Sequence, residues 1–226
     1  DDQKITYDSI NEKVVIAYKD SDNSSYGTAV VGTVNGTDIS FGTPVVFESA
    51  KTDYLSAVYD STNNKVVIAY QTEDDQPYLH SANTVYGTAI VGTVNGTDIS
   101  FGTPVVYGSA QITYPSVAYD STNDRVVIAY KDDGNSGYGI VRVGIVNGTD
   151  ITFGKSVVFY VGTHSFYNSA TYDPDNDKVV IFNQGIYNNG NAVVGTVSRV
   201  TEYSTPSLGT PVVFDDRLQC SATTYV

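Results

Sequence analysis

The sequence predicts an all-β protein, and more specifically a β-propeller of four four-stranded repeats of about 52 residues each. Three observations support this prediction: apolar runs separated by turn residues, a sequence phrase that occurs four times, and Asn-Gly pairs between the runs. Val, Ile, Thr and Tyr are abundant, 20 glycines are present, and Met and Trp are absent. Because β-branched and aromatic residues favour pleated sheets and glycines favour turns, strands are expected throughout.

The repeat is visible as the phrase YDSTNNKVVIAY and its variants. It is found at 7–18, 59–70, 119–130 and 172–183, so successive copies begin 52, 60 and 53 residues apart. The long step is explained by an eight-residue insertion within 71–85, and the fourth repeat is lengthened at 198–209. Insertions that leave apolar runs intact belong in surface loops, so both segments are predicted to protrude.

We expect one domain over 1–226, with a regular division into repeats. The predicted repeats are approximately 1–51, 52–111, 112–163 and 164–214, with 215–226 a closing or fifth-repeat inner strand. In the second repeat, strands A to D are assigned to YLSAVY, KVVIAY, TAIVGTV and FGTPVVF. The segment Leu218–Val226 either completes the first blade of a closed ring or begins a fifth repeat of a longer array, and the sequence leaves both open.

Strand B decides between a propeller and other all-β folds. Val66, Val67 and Ile68 are apolar at adjacent positions, so both faces of the strand are predicted to be buried, as in stacked blades. A tight Asn-Gly turn, with positive φ at both residues, is expected between strands C and D. It would begin at Asn35, Asn95 and Asn147. A parallel β-solenoid is the alternative fold, but its rungs are shorter and lack such hairpins.

The charge balance limits the partners. Twelve basic and 25 acidic residues give a net charge of −13, which disfavours nucleic acid and anionic membranes. No stretch approaches the roughly 18 apolar residues of a membrane helix, so membrane insertion is not expected. The single cysteine, Cys220, excludes an intramolecular disulfide and leaves the redox compartment open.

The repeated phrases SVAYD, NKVVIAY and YGTAIVGTVNGTDISFGTPVVF resemble a tandem propeller-like repeat family of marine phage structural proteins and marine microbial surface proteins. The resemblance covers residues 4–214 and is weakest in the fourth repeat. It implies an extracellular or virion-surface setting and a non-enzymatic structural or adhesion module, such as part of a phage fibre or cell-surface array. Other virion or surface proteins would be its partners, and homo-oligomers are compatible with it.

Recurrent tyrosines favour a different function, a carbohydrate-binding, lectin-like propeller with a surface glycan as partner. They open strand C (Tyr26, Tyr86 and Tyr138) and close strand B (Tyr18, Tyr70 and Tyr130). Aromatic rings beside Asp and Asn side chains offer what a sugar site needs, stacking and hydrogen bonds to hydroxyls. Packing between blades is the other interpretation of the same tyrosines.

No residue set predicts catalysis, so the chain is not expected to be an enzyme, and a glycan-active enzyme is the weakest alternative. A sialidase would need clustered arginines, but Arg125, Arg142, Arg199 and Arg217 occupy different places in their repeats. The two histidines, His80 and His164, are interpreted as solvated loop residues.

No cofactor is predicted, with Ca²⁺ as the alternative for oxygen-rich loops. Its candidate ligands are Asp20, Asp22, Asp132 and Asp133. The turn asparagines Asn35, Asn95 and Asn147 also stand in Asn-Gly-Thr sequons, which would be glycosylated only in a secreting eukaryote.

Overall fold

The computed structural model of the chain describes residues 3–73, 85–162, 165–185, 188–198 and 206–215. Within these ranges the secondary structure is β, apart from short 3-10 turns at Asp133–Asn135 and at Asn188, which confirms the all-β expectation. The strands are β1 (Gln3–Asp8), β2 (Lys13–Asp20), β3 (Tyr26–Asn35), β4 (Asp38–Phe41), β5 (Val45–Asp60), β6 (Lys65–Glu73), β7 (Val85–Asn95), β8 (Asp98–Phe101), β9 (Val105–Gly108), β10 (Ile112–Asp120), β11 (Arg125–Asp132), β12 (Tyr138–Asn147), β13 (Asp150–Phe153), β14 (Val157–Tyr160), β15 (Phe166–Asp173), β16 (Lys178–Gln184), β17 (Gly190–Thr196), β18 (Ser207–Leu208) and β19 (Val212–Asp215).

Neighbouring strands are antiparallel and follow chain order within each repeat. In the third repeat β10 pairs with β11, β11 with β12, and β12 with both β13 and β14. The fourth repeat has the same order from β15 to β19. The first two repeats share one nine-stranded sheet, because the start of β5 pairs with β3 and its end pairs with β6. The result is three curled sheets, and a closed ring of four separate blades is not confirmed.

Strand D differs from its predicted form because it is broken in two. In the first repeat β4 pairs with the end of β3, and the start of β5 pairs with the beginning of β3. The break falls at Gly42–Pro44, and the third repeat breaks in the same way at Gly154–Ser156, where no proline is present. Both breaks begin at a glycine whose N–H bonds to a carbonyl of strand C, Gly42 to Val31 and Gly154 to Val143, each at 2.9 Å. The expected continuous strand FGTPVVF is therefore wrong, and each repeat has five strand segments rather than four.

The C–D turn also differs from the expected Asn-Gly pair. Asn35 is paired with Asp38, so Gly36 and Thr37 are the two turn residues. Gly36 has a φ of +63°, and neither Asn35 nor Thr37 is among the residues with positive φ. A glycine at the first central position with positive φ is the pattern of a type II′ turn. The tight hairpin is confirmed, but the asparagine lies at the end of the strand, outside the turn centre.

The A–B turn is held by one aspartate. Asp60 is buried, and its Oδ1 accepts the backbone N–H groups of Thr62 (3.1 Å) and Asn63 (2.9 Å). Its Oδ2 accepts the side-chain amide of Asn63 at 2.9 Å. The same three bonds are made by Asp8, Asp120 and Asp173. Satisfying all of its acceptors is what allows a carboxylate to lie at 1% exposure.

The same turn joins successive repeats. The amide of Asn63 also donates to Asp124 Oδ1 of the third repeat at 2.9 Å. Asn123 in turn donates to Asp177 of the fourth repeat at 3.0 Å. In the first repeat Asn11 donates to Asn64 at 3.2 Å. The phrase YDSTNN is therefore a connector between repeats as well as a turn.

Apolar cores lie between the repeats. Each repeat has a back face, which packs on the next repeat, and a front face, which packs on the preceding one. In the first repeat the back face is Val15, Ala17, Ala29 and Val31. In the second repeat the front face is Tyr59, Val66, Ile68, Tyr70, Ile90, Val94 and Ile99. Two further clusters repeat this contact between the second and third and between the third and fourth repeats. Successive residues of strand B enter different clusters, which confirms that both of its faces are buried.

Several sequence predictions fall on segments outside the described residues. They include most of the insertion at 71–85, part of 198–209, and Leu218–Val226, on which ring closure was expected to depend. Residues 71–73 do continue strand β6, so the insertion begins beyond Glu73. No helix in the described part of the chain is long and apolar enough to cross a membrane.

Candidate functional site

A bulge near the start of strand A recurs in three repeats. In the second repeat the pairing of β5 with β6 stops at Asp53 and resumes at Ser56. The pairing is interrupted in the same way in the third repeat, between Thr113 and Ser116, and in the fourth, between Phe166 and Ser169. A bulge adds an unpaired residue and redirects its side chain, and bulges are common next to binding sites.

Each bulge places a tyrosine in the left-handed backbone region. The φ angles of Tyr54, Tyr114 and Tyr167 are 50°, 53° and 48°. Bulky residues rarely adopt this conformation, which costs on the order of 1–3 kcal/mol and persists only where the surrounding structure holds it. Its recurrence at one position shows that the fold repeatedly turns this side chain out of the regular pleat.

The three tyrosines form a chain of aromatic contacts across the repeats. The ring centroids of Tyr54 and Tyr114 are 5.0 Å apart at 64°, and those of Tyr114 and Tyr167 are 5.1 Å apart at 51°. Phe166 meets Tyr114 edge-on at 5.9 Å. The first strands of successive repeats contact one another, which brings these rings together although they are more than 50 residues apart in sequence.

A cavity of about 270 Å³ opens beside this aromatic chain. It is lined by Lys4, Tyr54, Leu55, Ser56, Tyr114, Pro115, Ser116, Tyr167, Asn168 and Ser169. The wall combines aromatic rings with hydroxyl, amide and ammonium groups, and residues from all four repeats contribute to it. An apolar wall with a few placed polar groups is the usual composition of a small-molecule site.

Hydrogen bonds between repeats fix the polar part of the wall. Ser56 Oγ accepts the backbone N–H of Val117 at 3.1 Å, and Ser116 Oγ accepts that of Ala170 at 2.9 Å. The Asn168 side chain donates to the carbonyl of Tyr114 at 3.1 Å. These bonds hold neighbouring repeats in register, so the cavity is assembled before any ligand arrives.

The Tyr114 hydroxyl in the wall is protonated at neutral pH. Burial raises the pKa of Tyr114 to about 12, and the neighbouring Tyr54 and Tyr167 add to the rise. A side-chain hydrogen bond with Tyr54 is a further cause of the rise.

Ion pairs surround the aromatic chain. Lys131 lies 4.8 Å above the Phe166 ring and pairs with Asp133 at 2.6 Å. Asp53, next to Tyr54, pairs with Lys51 at 3.6 Å and with Lys19.

Two of the sequence-predicted tyrosines are buried in the core. Tyr70 packs edge-on against Phe47, with ring centroids 5.1 Å apart, and Tyr130 packs at a tilt against Tyr107, with centroids 5.2 Å apart. Their exposed fractions are 0% and 2%, which leaves no ring face for a sugar. The structure therefore corrects the sugar-stacking expectation for this pair: they are front-face packing residues, because strand B turns them towards the preceding repeat.

The other four tyrosines keep partial exposure but do not line the cavity. Tyr26, Tyr86 and Tyr138 are half-buried at the start of strand C, and a glycan role for them stays a prediction. Tyr18 is also half-buried, and burial together with the charge of Asp20 raises its pKa.

The acidic candidates for calcium are engaged in other contacts or dispersed. Asp132 accepts the backbone N–H of Asn135 and caps the 3-10 turn, and burial raises its pKa. Asp133 is paired with Lys131. Asp20 and Asp22 lie where strand β2 turns towards β3, and the backbone carbonyl of Asp20 accepts the N–H of Asn23. Within the described ranges no three His, Cys, Asp or Glu side chains are grouped for a metal.

The sequon asparagines Asn35, Asn95 and Asn147 are exposed at the end of strand C. Of the arginines that a sialidase site would need, Arg125 and Arg142 are described, and neither lines the cavity. His80, His164, Cys220, Arg199 and Arg217 lie outside the described residues.

The sequence reasoning missed the bulge tyrosines, although a signal was present. Each stands five residues before the marker tyrosine of its repeat, as Tyr54 does before Tyr59. Position in the repeat could have singled them out, but their convergence needs the contacts between repeats.

These features define an all-β protein with a propeller-like fold and a cavity built from successive repeats. No protein-family model and no curated protein sequence matches the chain. Among solved structures it is similar to Trypanosoma rangeli sialidase in complex with the inhibitor DANA, with a TM-score of 0.53 and 15% identity over 85% of this chain and 35% of the sialidase. The same sialidase in complex with sialic acid gives a TM-score of 0.53 and 13% identity over 90% of this chain and 37% of that one.

An N-acetylgalactosamine deacetylase from F. plautii, in complex with blood group B trisaccharide, is similar with a TM-score of 0.51 and 12% identity. That match covers 93% of this chain and 69% of the deacetylase. At these identities the likeness is one of fold. The chain spans only about a third of the length of the sialidase chains it matches.

Proposed function

We propose that this chain is a non-enzymatic carbohydrate-binding module and that the cavity beside Tyr54, Tyr114 and Tyr167 is its sugar site. The observation that carries the proposal is the repeated left-handed bulge, which turns three tyrosines into one aromatic wall. Sugars are recognised by ring stacking together with hydrogen bonds to their hydroxyls. Tyr167, which is 54% exposed, offers a ring surface at the edge of this wall.

The polar side chains of the wall suit a hydroxylated ligand. Ser169 and Asn168 lie beside Tyr167, and Lys4 lies on the first-repeat side. The ten lining residues include no Asp or Glu, so this wall lacks the two carboxyl groups that most glycoside hydrolases use. Binding without turnover is therefore the proposed activity. The similar structures were solved with sugars or a sialidase inhibitor, which supports a carbohydrate ligand as an expectation of fold analogy alone.

A structural role at a virion or cell surface is the second candidate function. It rests on the tandem repeats, on the resemblance to marine surface repeats, and on the exposed apolar faces at the two ends of the described array. Other surface proteins would be the partners. The two candidates are compatible, since an adhesion module both assembles and binds.

Binding to an array of immobilised neutral and sialylated oligosaccharides tests the sugar site. Tyr167→Ala should weaken binding about fivefold, because a stacking contact of this kind contributes on the order of 1 kcal/mol. Val106→Ala is the control, since Val106 is a similarly exposed residue (49%) that neither lines the cavity nor belongs to the faces at the two ends of the described array. If binding is lost only when Tyr26, Tyr86 and Tyr138 are all replaced with alanine, the sugar site lies at the B–C loops. If the unmodified chain binds no oligosaccharide, the chain has no sugar site.

A further inference from the structure

The front face of the first repeat is exposed although its residues match a core surface. Val34 is 57% exposed, whereas Val94 and Val146, at the same position of the second and third repeats, are 6% and 7% exposed. Ile39 is 46% exposed, whereas Ile99 and Ile151 are 4% and 1% exposed. Phe41 and Tyr7 extend the same exposed surface. The first repeat therefore presents half of the interface that the second and third repeats bury.

The back face of the fourth repeat is the other half of that interface. Val194 is 47% exposed, whereas Val31, Val91 and Val143, at the same position of the earlier repeats, are at most 1% exposed. Val180 on the neighbouring strand belongs to the same face and is half-buried. The two exposed faces at the ends of the array thus correspond to the two surfaces that pack together three times inside it.

The connecting turns carry matching polar groups at the two ends. Asn176 stands where Asn63 and Asn123 donate to the next repeat, and it is exposed. Glu12 stands where Asp124 accepts from the preceding repeat, and it shares the left-handed φ of that position, 54° against 57°. An amide donor therefore lies at the fourth repeat and a carboxylate acceptor at the first.

We propose that a second copy of this chain seats the front face of its first repeat on the back face of the fourth repeat, head to tail. Both halves are exposed within the described part of the chain, and a second copy would supply the matching half of each. Contact between unlike faces is heterologous and leads to a ring or an open filament. The proposal does not depend on the sugar site.

The faces can be blocked separately because Val34 and Val194 are already exposed. Val34→Lys blocks the front face and Val194→Lys blocks the back face, each by burying an unpaired ammonium group in the contact. Val106→Lys is the control, since Val106 is 49% exposed on a strand-D segment of the second repeat, outside both end faces. The mass of the 226-residue chain and its variants is measured by sedimentation velocity over a range of concentrations.

We expect the unmodified chain and the Val106→Lys variant to associate with rising concentration. Each face variant alone should be monomeric, with a dissociation constant raised by more than about 100-fold. An equimolar mixture of the two face variants should form a dimer and nothing larger, because one intact interface remains. A monomeric unmodified chain overturns the proposal. A face variant that lowers the melting temperature of the monomeric chain also overturns the proposal. Such a result would mean that the first repeat packs on the fourth repeat of the same chain.

Discussion

Asn63 and Asp124 occupy the corresponding turns of two successive repeats, and the side-chain amide of Asn63 donates to the Asp124 carboxylate at 2.9 Å. Asn63 donates to Asp60 of its own turn at the same time. Asp124 also accepts the hydroxyl of Tyr119 at 3.0 Å. A bond to an ionised acceptor is stronger than one between neutral groups, so this contact should contribute to holding the repeats in register.

Replacing Asn63 with alanine should lower the free energy of unfolding by about 1–3 kcal/mol, because two bonds to carboxylates are lost. The control is Asn176→Ala at low protein concentration, which removes the bond to Asp173 within the last turn at the exposed end of the array. Urea denaturation provides the measurement. An equal loss in both variants would mean that the contact between repeats adds nothing to stability. A double-mutant cycle with Asp124→Ala should give a coupling of about 0.5–3 kcal/mol.

Replacing Gly87 with alanine should destabilise the second repeat by about 1–3 kcal/mol through overpacking. A Cβ at Gly87 would lie 2.5 Å from Cε2 of Tyr107, whose ring is fully buried and has no room to move. Thermal unfolding measures the loss. In combination with Tyr107→Val the added methyl should cost less than it does alone, since the opposing ring is gone. Simple additivity of the two changes would contradict the steric explanation.

The hairpin turn can be tested at two adjacent residues. Gly96→Ala should cost on the order of 1–2 kcal/mol, because Gly96 has a φ of +64° and alanine is strained there even with nothing within 4 Å of its Cβ. Asn95→Ala should change stability by less than about 0.5 kcal/mol, since Asn95 is exposed and has no positive φ. Equal losses would favour the Asn-Gly turn expected from the sequence. Chemical denaturation of the two variants decides the matter.

Alkaline pH should destabilise the fold through Tyr130. Burial raises the pKa of Tyr130 to about 12, whereas an unfolded tyrosine titrates near 10. Between these values the unfolded chain loses the proton and the folded chain keeps it, so the free energy of unfolding falls as pH rises from about 10 to 12. Tyr130→Phe should flatten this part of the stability curve. Well below pH 10, where the Tyr130 hydroxyl is protonated in both the folded and the unfolded chain, the curves of the variant and the unmodified chain should run parallel.

Local regularities were sufficient for much of the architecture. The adjacent apolar residues Val66 and Val67 correctly predicted a strand buried on both faces, and the DSTNN phrase correctly predicted a turn. The Asn-Gly signal located the hairpin but misplaced its centre by one residue, because strand register is fixed by pairing across the sheet. The break in strand D was not predicted, because it begins at a glycine that bonds back to strand C, as Gly42 does to Val31, and periodicity does not reveal that bond.

The candidate site was much less predictable than the fold. Tyr70 and Tyr130 were good candidates by residue type, yet strand direction turned them into the core. Tyr54, Tyr114 and Tyr167 were overlooked because their importance depends on a bulge and on rings meeting across repeats. Their recurrence five residues before each marker tyrosine was visible in the sequence, but their positive φ was not, since it is imposed by the pairing on both sides of the bulge.

The sequence by itself determined the all-β class, the number of described repeats, the turns and the alternation of buried faces, because these follow from residue periods of two and from turn chemistry. Tertiary structure alone decided which tyrosines gather around a cavity and which are buried between repeats. It also decided that, within the described residues, the matching faces of the first and fourth repeats are exposed. The physical reason is that these features depend on how one repeat is placed against the next, which the contacts between repeats determine.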